Sequence, residues 1–298
     1  MPAKRYALCS ISTGAKYNAM KAKLSMPRVG GLPNDYTAFC PFAGHLAAYA
    51  AKSGRLDIYA NPAPGKGFGK PVATQTIATG LAFLQPFQLG TVREPQTQMA
   101  AGYDSTSGVL QFYAIDGTAF DAKNTYKAFP ALTTLLPYLS WDGSYLLCYD
   151  MTSGHVTTYG LAAGTDGDVD VTAVWKPTKP WAKGWTRFGL FRFGPENFFI
   201  KTNIDEKHTY IDHLMDDANE GSHPAAENLP LPLNLAAVAT FTLDSDPCFA
   251  TYAPGGAVEL NRFRGDVQGW FTGAKTKVMR GARFAVALES ETPIVLFY

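Results

Sequence analysis

One phrase recurs along this chain about every fifty residues. An apolar run ends in Tyr, a Ser-Gly turn follows, and a second Tyr stands five residues after the Gly. The copies are Tyr103-Asp104 with Ser107-Gly108 and Tyr113, Tyr149-Asp150 with Ser153-Gly154 and Tyr159, and Tyr49 with Ser53-Gly54 and Tyr59. The three glycines stand 54 and 46 residues apart. A period of this length marks a repeat architecture, and four short strands per repeat make a propeller blade.

Each repeat opens with a nearly continuous apolar run, as expected of a strand buried on both faces. Six such runs occur, at 36–42, 81–87, 132–138, 186–193, 235–241 and 283–288. They are expected to line the central axis. A turn rich in Gly, Pro, Asn or Asp follows, then a second strand ending in the Tyr, the Ser-Gly turn and a third strand. A variable fourth strand is clearest at 169–175. The chain ends after a second strand. It opens with Tyr6–Cys9, read as the end of a second strand, and continues through Ser12-Thr13-Gly14 and Tyr17 as a third. The two ends therefore complement each other. The expected fold is all-β: a six-bladed β-propeller of four-stranded antiparallel blades, one domain over 1–298, closed by N- and C-terminal segments sharing a blade. Closure removes the free sheet edge at the seam. The overlap of two second-strand-like segments leaves a seventh, incomplete blade as the alternative. Residues 216–227 are polar, with Gly221 and Pro224, and read as a long surface loop. Gly65–Lys70 reads as a flexible connection between third and fourth strands.

Composition narrows the function classes. Formal net charge is +1 with 17% charged residues, which argues against nucleic acid as a partner, because phosphate neutralisation needs a clustered basic surface. No stretch of 18 apolar residues could span a membrane, and no signal peptide is visible, so a cytoplasmic location is expected. Cys9, Cys40, Cys148 and Cys248 each stand alone in an apolar run and read as buried thiols, not disulfides or zinc ligands. His208 and His213 are five apart in one strand, which puts them on opposite faces and away from a shared metal. No catalytic motif of the serine-hydrolase, metalloprotease or phosphate-loop kind is present. No metal or cofactor is expected.

The repeated Tyr, Asp and Ser-Gly specify the fold and no ligand. Asp before a tight turn accepts backbone N–H groups, Gly supplies the turn, and Tyr packs between blades. A different phrase stands in the fourth copy: Trp181-Ala182-Lys183-Gly184-Trp185-Thr186-Arg187-Phe188, then Phe191 and Phe193. Here the chain resembles β-propeller lectins of the tachylectin and tectonin type, whose blades carry a Gly-Trp-x-x-Phe-x-Phe run entering the first strand. The likeness covers one blade well. Tyr36–Phe39 and Leu132–Leu135 echo it without the Trp. The resemblance implies a sugar-binding propeller, with Trp181 or Trp185 as the platform and Arg187 holding hydroxyls. Trp181 is the expected exposed member of the pair. The turns after the first strands offer a second candidate set on one rim: His45, Arg93 and Glu94, Asp142, Glu196, Asp244 and Asp246, Glu289 and Glu291. They could bind a cation or do acid–base work, or be solvated hairpin turns.

No Trp, Arg or Glu recurs at a fixed place in the blades, so one or two sites are expected instead of six. Three classes follow: a carbohydrate-binding, lectin-like module taking a glycan or small-molecule ligand; an enzyme (lyase, isomerase or cyclase on an apolar small molecule) with one site at the central channel; and a protein–protein scaffold. The fold alone cannot choose among them.

Overall fold

All six apolar runs become inner strands in the computed structural model, which describes residues 6–13, 20–25, 32–128, 131–203, 205, 207–214, 221–229, 231, 234–264, 266–288 and 292–298. The inner strands are Ala38–Phe42, Leu81–Gly90, Thr134–Leu139, Trp185–Phe193, Ala237–Leu243 and Ala285–Leu288. Each is the first strand of a four-stranded antiparallel sheet, and the six sheets form a ring, a six-bladed β-propeller. We number the blades in the order of their inner strands. The hydrophobic cores lie between neighbouring blades. Tyr49 and Ile58 of blade one pack with Leu84 and Tyr113 of blade two, and Leu147 and Tyr149 of blade three with Trp185 and Phe199 of blade four. Packing against a neighbouring blade accounts for the apolar runs, although the inner strands are only partly buried along the axis.

Blade six closes the ring from both ends of the chain. Its strand order is Ala285–Leu288, Ile294–Phe297, Ala7–Thr13 and Met20–Ser25, with Ala7 opposite Phe297. This corrects the reading of the N-terminus. Tyr6–Cys9 is not the end of a second strand. Ala7–Thr13 is the third strand itself, and the apparent duplication behind the seventh-blade alternative disappears. Tyr17 lies outside the described residues. A second correction concerns residues 216–227. Ser222–Ala226 is the fourth strand of blade four, pairing with His208–Leu214. Residues 216–220 lie outside the described residues. The Gly-rich connection at 65–70 is anchored at Phe68, whose N–H donates to the Tyr6 hydroxyl and whose ring meets Tyr6 and Tyr59.

The repeated Tyr is a latch between blades. The Tyr149 hydroxyl donates to the Ala182 carbonyl (2.7 Å) and accepts the Trp185 N–H (3.3 Å), both on the connector into blade four. Tyr49 does the same with Ala78 and Leu81, and Tyr252 with Met279 and Ala282. Tyr103 accepts from Leu132. Tyr298 donates to Pro33, so the last residue latches the last blade onto the first. Blade four departs from the pattern. Thr202 stands in the latch position, and the link to blade five is made instead by Arg187, whose Nε donates to the Leu235 carbonyl (2.9 Å).

The Asp-x-x-Ser-Gly turns behave as their chemistry dictates. Asp104 accepts the Thr106 N–H and the Ser107 hydroxyl, and Asp150 accepts the corresponding pair from Thr152 and Ser153. These donors hold the Asp104 carboxyl below its ordinary range. In blade four Asn203 substitutes, accepting the Asp205 N–H. The Gly has two jobs. Gly154 sits at φ +78°, and its carbonyl receives the Trp181 N–H from the connector strapped across the turn. A Cβ there would lie 2.2 Å from the Trp181 carbonyl oxygen. Gly154→Ala is expected to cost about 2 kcal/mol or more, from left-handed strain plus displacement of the strap. Urea denaturation checks this, and a loss within ~0.5 kcal/mol would mean the strap is not held as described.

The four cysteines are buried and unbridged. Burial raises the Cys9 thiol to about 11 and the Cys248 thiol to about 12.

Candidate functional site in the central channel

The six inner strands enclose a cavity of about 500 Å³ on the ring axis. Every blade contributes: Phe39 and Pro41, Phe83 and Gln85, Thr133 to Pro137, Arg187 to Leu190, Ala236 to Thr240, and Arg283 to Ala287. The wall is mainly aliphatic, aromatic and proline. Its polar side chains are Gln85, Thr133, Thr134, Thr240 and the two arginines. Thr133 serves the 2–3 turn of its own blade, donating to the Tyr149 carbonyl and accepting the Met151 N–H. Thr240 donates to the Leu190 carbonyl. Neither arginine forms an ion pair among the described residues.

Arg187 is unusual in its backbone. It lies inside the inner strand of blade four, at an irregularity between Thr186 and Gly189, with φ +54°. The other non-Gly residues with positive φ among the described residues lie in turns, bends or a short 3₁₀ segment. A left-handed L-residue costs about 1–2 kcal/mol. The extra residue re-aims the side chain, the usual effect of a bulge. The Nε–Leu235 bond then fixes the guanidinium on the channel wall. Surrounding protein lowers its pKa through desolvation. Arg283 is at the same end of its inner strand, with its backbone N–H on the Tyr298 carbonyl and its exposed side chain in the channel lining.

The other sequence candidates do not join this cavity wall. Antiparallel pairing puts the start of each inner strand beside the 2–3 turn and its end beside the 1–2 turn, as Thr134 opposite Tyr149 and Leu139 opposite Ser144 show. Trp181, Trp185, Arg187 and Arg283 therefore belong to one face of the ring. His45, Glu94, Asp142, Glu196 and Asp244 belong to the opposite face. There three of them, His45, Glu196 and Asp244, have local side-chain partners. His45 stacks on Phe42, Glu196 lies 3.7 Å from His213, and Asp244 and Asp246 flank Arg262. The Glu94 N–H is held by Thr91. Beside Asp142, the exposed Trp141 is covered by Arg93 at 4.4 Å. Glu289 and Glu291 lie outside the described residues. Among the described residues no three His, Cys, Asp or Glu side chains assemble to hold a metal ion.

The tryptophan pair holds an internal lysine. Lys201, on the second strand of blade four, points its Nζ at the rings of Trp181 (4.6 Å) and Trp185 (4.5 Å), with Phe199 and Tyr210 beyond. Its charge is met by Asp212 at 2.7 Å, and both residues are buried. Burial pushes the lysine pKa down and the aspartate pKa up. Trp181 is half-buried and Trp185 is 4% exposed, in the order of exposure the sequence suggests. Trp181 also stacks on Phe199 and contacts Tyr149 and Trp175. Three residues of these sites escape sequence reasoning: Arg283, Lys201 and Asp212. The legible signal for Lys201 is a lysine within the apolar run Phe198–Thr202, at the register of Ala48 and Cys148. Arg283 could be found only by aligning the inner-strand entries of blades four and six.

No family model matches the chain, and no curated protein matches its sequence. Solved structures do match. The SapL1 lectin in complex with α-methyl fucoside has a TM-score of 0.57 at 11% identity, over 89% of this chain and 88% of that one. BBS1N, solved in complex with ARL6DN, has a TM-score of 0.52 at 10% identity, over 93% and 83%. A functionally unknown protein from Desulfotomaculum acetoxidans has a TM-score of 0.51 at 11% identity, over 91% and 78%. At these identities the likeness shows the six-bladed propeller fold alone. Among the described residues no helix is long and apolar enough to cross a membrane.

Proposed function

We propose that this protein is a ligand-binding β-propeller with one site, in the central channel, and that its ligand is a carbohydrate-sized molecule. The observation that carries this reading is the shared cavity: about 500 Å³, walled by all six inner strands, mostly apolar, with a few polar groups converging from different blades. That is the usual make-up of a small-molecule pocket. The blades do not repeat a polar constellation, which supports one axial site over several peripheral ones. Carbohydrate is favoured because the wall joins ring-sized apolar faces to guanidinium donors, the pairing a sugar uses. A fold neighbour also holds α-methyl fucoside, which is support by analogy only. The lining supports binding better than turnover. Its polar side chains are two guanidiniums, three hydroxyls and an amide, with no carboxylate, imidazole or thiol among the described residues of the lining to serve as acid or base.

A glycan array followed by calorimetry tests this. We expect one equivalent of ligand per chain, and loss of binding in Ala285→Trp, which fills the channel. Trp181→Ala separates this location from the tryptophan platform. It should leave affinity within about twofold if the channel is the site. Several equivalents per chain, or binding untouched by Ala285→Trp, would overturn the channel reading.

A further inference from the structure

We infer that the channel ligand is an anion, with its acidic group gripped by Arg187 and Arg283 and its apolar body against Phe39, Phe83 and Phe284. This rests on the channel being the binding site. Four observations point to it. Two guanidiniums line one cavity, from blades four and six, and the lining contains no carboxylate among the described residues. Neither arginine has an ion-pair partner among those residues; Arg55 pairs with Asp35 and Asp57 and Arg262 with Asp246, while Arg93 and Arg192, likewise unpaired, are taken up by the Trp141 ring and the Pro195 carbonyl. Both arginines are exposed to the lumen, where two like charges repel and an anion between them would remove that repulsion.

The third observation is preorganisation. Arg187 is tied through Nε to the Leu235 carbonyl, and its terminal nitrogens meet no carboxylate among the described residues. A guanidinium held on one edge loses little further freedom when its fork meets a carboxylate or phosphate. The fourth is strain. Among the described residues Arg187 is the one non-Gly residue inside a strand with left-handed backbone. A latch between blades could be made by a Tyr, as the other blades show, without that strain. Backbone strain kept where a relaxed alternative exists belongs to sites of function. The fork geometry asks for a planar or tetrahedral oxyanion on a compact ring, such as a sugar or aromatic acid.

The test uses a matched pair of fluorescent probes on the full chain: 1-anilinonaphthalene-8-sulfonate and its uncharged parent, N-phenyl-1-naphthylamine. We expect the sulfonate to bind one site per chain at least tenfold more tightly than the neutral dye. Its affinity should fall as salt rises. Arg283→Gln should weaken the sulfonate about tenfold and leave the neutral dye unchanged, the size of one lost charged hydrogen bond. Arg283 is the safer variant, because its side chain makes no bond to the described residues, whereas Arg187 also joins two blades. Equal affinity for the two dyes, or sulfonate binding unaffected by Arg283→Gln, would overturn the anion assignment. If both dyes bind alike and both are lost in Ala285→Trp, the channel reading stands and only the anion fails. If Ala285→Trp removes neither, the channel reading fails and takes this inference with it.

Discussion

Tyr149→Ala is expected to destabilise the protein by about 3–5 kcal/mol, the range for removing a large buried side chain. The ring is fully buried and touches Trp181 and Phe188, each with centroids 5.7 Å away. The hydroxyl is the latch that joins blade three to the connector of blade four through Ala182 and Trp185. Truncation therefore empties a cavity at a blade interface and takes the Tyr149 partner from the Ala182 carbonyl and the buried Trp185 N–H. Tyr149→Phe separates the two effects. It keeps the ring and removes the latch, and should cost about 1–3 kcal/mol. Urea denaturation of both variants is the measurement. A cost below about 1 kcal/mol for Tyr149→Ala would mean the repeated Tyr is not a structural unit of the ring.

Asp212→Ala should be comparably damaging, at about 3–5 kcal/mol near neutral pH, because it strands a buried lysine without its counterion. Lys201 sits among four aromatic rings, which attract its charge but do not neutralise it. The pH dependence gives a signature that mere loss of packing would not. Burial holds the folded-state lysine pKa below its ordinary value. The unfolded chain therefore binds more protons across that window, and stability of the variant should rise with pH from its lowered folded pKa up to the ordinary lysine value near ~10.4. Denaturation at pH 7 and pH 10 spans this window. The double replacement Lys201→Met with Asp212→Leu should recover most of the loss, since an apolar pair of similar volume removes both charges at once. A flat pH profile for Asp212→Ala, or no recovery in the double variant, would show that the pair is not coupled as described.

The ring was legible in the sequence because a propeller repeats its local chemistry. Each blade needs an apolar inner strand, a turn with positive φ and a residue to latch the next blade, so the same residue types return at similar spacing. The Asp-x-x-Ser-Gly turns could be assigned a structural role for the same reason: their side-chain hydrogen bonds run between residues two or three apart. The complementary ends of the chain told which blade closes the ring. The strand identity at Tyr6–Cys9 was misread because short apolar strands look alike when the partner is far away. Here that partner is Ile294–Phe297, at the other end of the chain.

The candidate site was legible only in fragments. Arg187 stands out in sequence through the Trp-rich phrase around it, but nothing local says that Arg283, about a hundred residues on, lines the same cavity. The same phrase suggests an open tryptophan platform, yet Lys201 comes from the next strand of the sheet to meet both indoles. The rim residues, read as a second candidate set, belong to the face opposite the Trp–Arg group. The periodic, short-range pattern of the chain determined the architecture by itself: where the inner strands fall, how many blades form and which blade closes the ring. Tertiary structure alone decided which charges meet a partner and which face the channel, because that depends on side chains brought together from separate blades, across distances along the chain at which sequence spacing carries no information.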